Sequence, residues 1–197
     1  MARSKNKSLP RSELRIIGGQ WRSRKLSFTP AQGLRPTTDR IRETLFNWLS
    51  PVIRDARCAD LFAGSGALGL EALSRGADHC DFIDTSAPAL NQVSQHLATL
   101  GAQQSGSCHA GSAEQFLQGA HPPLDIIFID PPFGLGLVAS VCQSLSLSQL
   151  LAEDAWVYIE TPKNEALPEL PDNWQLHRDK IAGDVAYRLF HINPIHS

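Results

Sequence analysis

From Cys58 to Glu160 the chain alternates short, apolar, β-branched runs with longer amphipathic ones. The spacing predicts strands over 58–62, 79–84, 107–110, 125–130 and 156–160, separated by helices over 67–75, 87–100, 112–118 and 135–152. Alternation of this kind leaves few solutions, because parallel strands need long crossovers and those crossovers are right-handed. The result is an α/β, doubly wound, mostly parallel sheet with helices on both faces. The ending WQLHRDKIAGDVAYRLFHI breaks the rhythm, since two β-like runs flank Gly183-Asp184. It predicts an antiparallel last strand pair, giving seven strands in all.

The segment before the alternation is different in kind. Residues 1–57 carry 13 of the 18 Lys and Arg but only 4 of the 20 Asp and Glu. A basic segment on an acidic body exceeds what solubility requires and points to nucleic acid. We divide the chain into a disordered basic tail over 1–12, a basic β-hairpin extension over 13–34 and a catalytic domain over 35–197. The hairpin is expected from strands 14–17 and 25–28 around Gly18-Gly19. It presents Arg15, Arg22, Arg24 and Lys25 with Trp21 and Phe28 between them, and Arg35 and Arg40 extend the basic run. Cations meet phosphates and rings stack on unpaired bases, so this is an RNA-docking pattern. The two rings could equally glue the hairpin to the body. After Pro36, TTDRIRETLFNWL reads as a Thr-capped amphipathic helix with Ile41, Leu45, Trp48 and Leu49 inward and Arg40, Glu43 and Asn47 outward.

Several classes are excluded. Cys58, Cys80, Cys108 and Cys142 are spread without C-x-x-C spacing, and the seven histidines form no ligand pair, so no metal site is expected. The cysteines read as small core residues of a reducing compartment. No apolar run is long enough to span a membrane, so we expect a soluble, cytoplasmic protein.

The chemistry is concentrated at two strand ends. DLFAGSGALGLEAL places Gly64, Gly66 and Gly69 as G-x-G-x-x-G between a strand and a helix, and Asp84 ends the next strand 20 residues after Gly64. This is the arrangement that cradles an adenosine-containing cofactor, the acid accepting both ribose hydroxyls. It suits NAD or S-adenosylmethionine. A dehydrogenase would need a hydride-transfer apparatus and room for a second substrate domain, neither of which is visible. Asp60, just before the glycine loop, and the IIFIDPPFG stretch favour methyl transfer. There, four apolar residues run into Asp130, Pro131, Pro132 and Phe133. The prolines stop the ladder and hold a carboxylate and a carbonyl rigidly outside the sheet.

These residues resemble the class I amino-methyltransferases of Rossmann-like fold. RIIGGQWRSRKL, GLRPTTDRIRETLFNWL and VAYRLF resemble one branch of them, the RsmD family, over about residues 15–190. The resemblance implies methylation of N2 of guanine 966 in 16S ribosomal RNA of the small subunit, with S-adenosylmethionine as cofactor and the chain acting as a monomer. It implies a cofactor site from Asp60, Gly64, Gly66, Gly69, Asp84, Ser112, Ala113 and Thr38. Catalysis would fall to Asp130, Pro131 and Phe133. The family often has Glu where Asp84 stands, and Asn or Asp where Ser112 stands. Alternatives are an amino-methyltransferase for DNA adenine or another RNA, and a catalytically inactive RNA-binding factor of ribosome assembly.

Overall fold

The computed structural model describes residues 12–29 and 38–194. The expected tail lies almost wholly outside this range, as does Arg35. The seven-stranded sheet has the order β5-β4-β3-β6-β7-β9-β8. Its strands are β3 (Arg57–Asp60), β4 (His79–Asp84), β5 (Gly106–Ala110), β6 (Leu124–Ile129), β7 (Leu151–Pro162), β8 (Trp174–Ala182) and β9 (Val185–Ile192). The first five are parallel, while β9 runs antiparallel to both β7 and β8. A two-stranded antiparallel sheet of β1 (Ser12–Arg15) and β2 (Lys25–Phe28) precedes it.

Helices α1 (Asp39–Trp48), α2 (Ala67–Ser74) and α3 (Ala87–Leu100) cover one face of the large sheet together with the hairpin. Helices α4 (Ala113–Leu117) and α5 (Leu137–Leu147) cover the other. Local chemistry sets most boundaries. Thr38 caps α1 through Ile41 N–H, Ser86 caps α3 through Ala89 N–H, and Ser112 forms a capping box with Gln115 at α4. Among the described residues no helix is long and apolar enough to cross a membrane.

Four expectations are corrected. The helix expected over 135–152 ends at Leu147, because Ser148 turns extended and Leu151 already begins β7. β1 spans Ser12–Arg15, two residues earlier than the strand expected over 14–17. The hairpin's connection is also longer than a Gly18-Gly19 turn. A short 3-10 turn at Gly19–Trp21 intervenes, and backbone bonds from Ile16 N–H to Arg24 O and from Ser23 N–H to Ile16 O extend the ladder. Lastly, Cys108 is exposed on the edge strand, whereas Cys58, Cys80 and Cys142 are buried.

The hairpin is built into the body. Leu14, Ile16, Leu26 and Phe28 are buried in the same cluster as α1, α2 and α3. Glu71, a lone acid in a wholly buried helix, accepts from Ile17 N–H and Gly18 N–H, each at 2.8 Å, and from Arg75 Nε at 2.8 Å. Arg42, 1% exposed, lies 3.6 Å from Glu71 and donates to Arg15 O and Asp39 Oδ1. Ser74 Oγ donates to Gly18 O and accepts from Trp21 N–H. A buried carboxylate is retained only where donors surround it, and here the donors are the hairpin's own backbone.

Candidate active site

The order of the sheet reverses between β3 and β6, and ligands of open α/β sheets bind outside the carboxyl ends at that switch point. The glycine loop follows β3, and the Asp130 segment follows β6. The sequence reading thus placed its two motifs apart, and the topology makes them neighbours.

The loop is shaped by its glycines. Gly66 has φ +81°, a left-handed conformation that costs an L side chain, and it starts α2. Gly69 is needed for contact, since a Cβ there would stand 2.3 Å from Phe82 Cε1 and 2.7 Å from Cys80 Sγ. The helix therefore lies directly on β4. Asp84 ties the loop to the next strand, accepting from Gly64 N–H at 2.9 Å and Ser86 N–H at 2.7 Å. Ser86 caps α3, so Asp84 is not its helix cap, and its carboxylate has further lone pairs for hydroxyl donors. Ala113 is buried at the start of α4, beyond β5, where Ser112 is its cap.

Asp60 is 1% exposed and accepts from Gly69 N–H at 3.1 Å, while its Oδ1 is buried without a hydrogen-bond partner. Burial, joined by the charges of Asp130 and Asp84, outweighs the pull of Gly69 N–H and raises its carboxyl to about 7. Three carboxylates thus converge at adjacent strand ends. The orphaned oxygen and this negative surplus fit a cationic ligand, and the glycine loop and Asp84 fit an adenosine; S-adenosylmethionine is both.

Across the switch point, register places Asp60 beside Phe128 and Phe128 beside Tyr158, so the three share a sheet face. Asp130 and Glu160, each two residues further on, continue that face by the two-residue period of a strand. Asp130 is half-buried, Pro131 is buried and Phe133 is 40% exposed. Sequence reasoning missed Glu160, which is 3% exposed and accepts from Tyr158 Oη at 2.7 Å. Its only trace was a charge ending an apolar run, the same trace Asp130 leaves.

The basic residues are distributed unevenly. Arg15 pairs with Asp39, Lys25 pairs with Glu13, and Arg24 donates to Thr99 O. Arg22 and Arg40 are exposed with no side-chain partner among the described residues. Trp21 is half-buried and packed on the core, and Phe28 is 8% exposed, so Phe28 is packing glue and not a stacking platform. Thr38 is engaged in capping α1, and among the described residues no hydrogen bond joins it to the glycine loop. Among those residues no cluster of three His, Cys, Asp or Glu is arranged to hold a metal ion.

Comparison with known proteins gives a consistent result. The family model described as "Conserved hypothetical protein 95" matches residues 14–191. "Ribosomal RNA small subunit methyltransferase D" of Escherichia coli (strain K12) is 51% identical over 178 residues, covering 90% of this chain and 89% of that protein. The protein of the same name from Haemophilus influenzae is 42% identical, covering 91% and 94%. The solved structure of yhhF from Escherichia coli superimposes with a TM-score of 0.84 at 47% identity, over 92% of this chain and 99% of that one. The fold is that of the Rossmann-like methyltransferases, and the chain belongs to the RsmD family of ribosomal RNA small subunit methyltransferases.

Proposed function

We propose that this protein methylates ribosomal RNA of the small subunit, and that its target is the exocyclic N2 of a guanine, guanine 966 of 16S RNA by family resemblance. The observation that carries the reading is the position of Asp130-Pro131-Pro132-Phe133 at the end of β6, across the switch point from the glycine loop and Asp60. Bound S-adenosylmethionine supplies an electrophilic methyl group on a sulfonium.

The exocyclic amine of guanine is a weak nucleophile because its lone pair is delocalised into the ring. Asp130 accepting one N–H and the Pro131 carbonyl accepting the other would draw that nitrogen toward tetrahedral geometry. A positioned pair of this kind is worth several kcal/mol. Asp130 can also take the proton that leaves as the new bond forms. Phe133 offers a face to an unstacked base, worth about 1–3 kcal/mol. Pro131 and Pro132 hold the fork without backbone adjustment. Arg22 and Arg40 contribute phosphate contacts, and we place the protein, acting as a monomer, in the cytoplasm where small subunits are assembled.

The test is transfer of labelled methyl from S-adenosylmethionine to small subunits lacking the modification, with the product mapped by nucleoside analysis. N2-methylguanine is expected. Label on adenine, or on protein alone, would overturn the proposal.

A further inference from the structure

We infer that Glu160 is the residue that recognises the target base as guanine, by accepting the N1–H that adjoins the reacting amine. The inference rests on the guanine reading above and assigns it a residue.

Glu160 stands one strand over from Asp130 on the same sheet face, at the carboxyl end of β7. It borders, with Pro131, Pro132, Phe133, Val138 and Pro162, a narrow gap beside the fork. Its orientation is set in advance, since Oε1 accepts from Tyr158 Oη at 2.7 Å and both residues are buried. Burial, with Glu160 and Asp130 nearby, holds the Tyr158 phenol well above its usual range, so it is a permanent donor to Glu160.

The chemistry then follows from the bases. A carboxylate only accepts, and two carboxylates at the ends of neighbouring strands, whose backbones lie about 4.8 Å apart, offer acceptors to two adjacent donors. Guanine carries that pair on its Watson–Crick edge, N1–H beside the N2 amine. Adenine places a lone pair at N1, so its edge would set that lone pair against the Glu160 carboxylate. Sites built around a buried polar partner discriminate strongly for this reason. Asp130 alone would not distinguish the bases, because any exocyclic amine satisfies it.

The experiment uses the full chain and small subunits reconstituted with 2-aminopurine at the mapped target position. This base keeps the N2 amine but has an acceptor at N1. Methyl transfer is followed in single turnover with saturating labelled S-adenosylmethionine, alongside thermal melts and S-adenosylhomocysteine binding. The native protein should methylate guanine at least about a hundredfold faster than 2-aminopurine. Glu160→Gln can still accept from Tyr158 and offers an N–H to N1 of 2-aminopurine. It should slow on guanine and cut the guanine preference at least tenfold, with cofactor binding unchanged. If Glu160→Gln fails to fold, Glu160→Asp carries the test, because retracting the carboxylate by one methylene should also erode the preference. An unchanged preference in the folded variant, or native protein that treats both bases alike, overturns the assignment. Native protein inert on guanine-bearing subunits would instead overturn the functional proposal, a distinguishable failure.

Discussion

Replacing Glu71 by Gln tests how the hairpin is held. Glu71 is fully buried, and it meets two backbone N–H groups of the hairpin, Arg75, and at 3.6 Å the buried Arg42. An amide has one acceptor oxygen, so its NH2 must face at least one of these donors. It also leaves Arg42, 1% exposed, with Asp39 as its remaining carboxylate. Removing one partner of a buried pair costs roughly 3–5 kcal/mol. Asp39, 2.7 Å from Arg42, retains part of the compensation, which favours the lower end, about 3 kcal/mol. With a urea slope of about 2 kcal/mol/M, the unfolding midpoint should fall by about 1.5 M. Tryptophan fluorescence suits the assay, since Trp21 sits where the hairpin meets α2. The double variant Arg42→Met/Glu71→Gln removes the stranded cation and should recover more than about 1 kcal/mol of the loss. A midpoint within about 0.3 M of the native protein for Glu71→Gln would refute the anchoring argument.

Three further outcomes are expected. Asp130→Ala should leave melting and cofactor affinity nearly unchanged and cut single-turnover methyl transfer about a hundredfold or more, with Asp130→Asn intermediate; full turnover in the alanine variant would return the fork to a mere turn. Asp60, its carboxyl raised to about 7, makes the cofactor-free fold less stable as pH rises from about 4 to 7, with no differential effect below about 4. Asp60→Asn should lack that decline in thermal melts, and parallel curves for the two proteins would contradict the cause assigned. Charge removal at Arg22 or Arg40 should flatten the salt dependence of RNA affinity by about one unit each while leaving S-adenosylhomocysteine binding intact; unchanged slopes would place the RNA elsewhere.

What could be read in advance, and what could not, divides along a physical line. The spans of β4 and α3 were legible to the residue because Asp84 ends an apolar run, Ser86 caps and Gly101 adopts the left-handed conformation that stops the helix. The end of α5 was not, since Leu147, Leu150 and Leu151 keep i, i+3, i+4 spacing beyond the point where Ser148 leaves the helix. Gly69 and Asp84 revealed themselves through spacing, because their requirements are met by neighbours in a βαβ unit. Glu71 and Arg42 did not, because the hairpin backbone that meets them is brought near only by the fold, and Glu160 did not, because only the sheet order sets it beside the Asp130 segment. Trp21 and Phe28 were undecidable for a different reason: stacking on a base and packing on a core ask for the same ring at the same period.

The docking of the hairpin has a consequence for synthesis. Gly18 leaves the ribosome 53 residues before Glu71, the acid that holds it, and Ser27 leaves 69 residues before its partner His96. At about 5–20 residues per second, the wait is roughly 3–14 s. During that interval β1 and β2 can pair with each other, but Leu14, Ile16, Leu26 and Phe28 have only α1, and not yet α2 and α3, to bury against. Burial of the hairpin therefore lags behind its synthesis. The hairpin closes only after α2 and α3 have emerged, and truncated chains ending before residue 100 should remain open at their beginning.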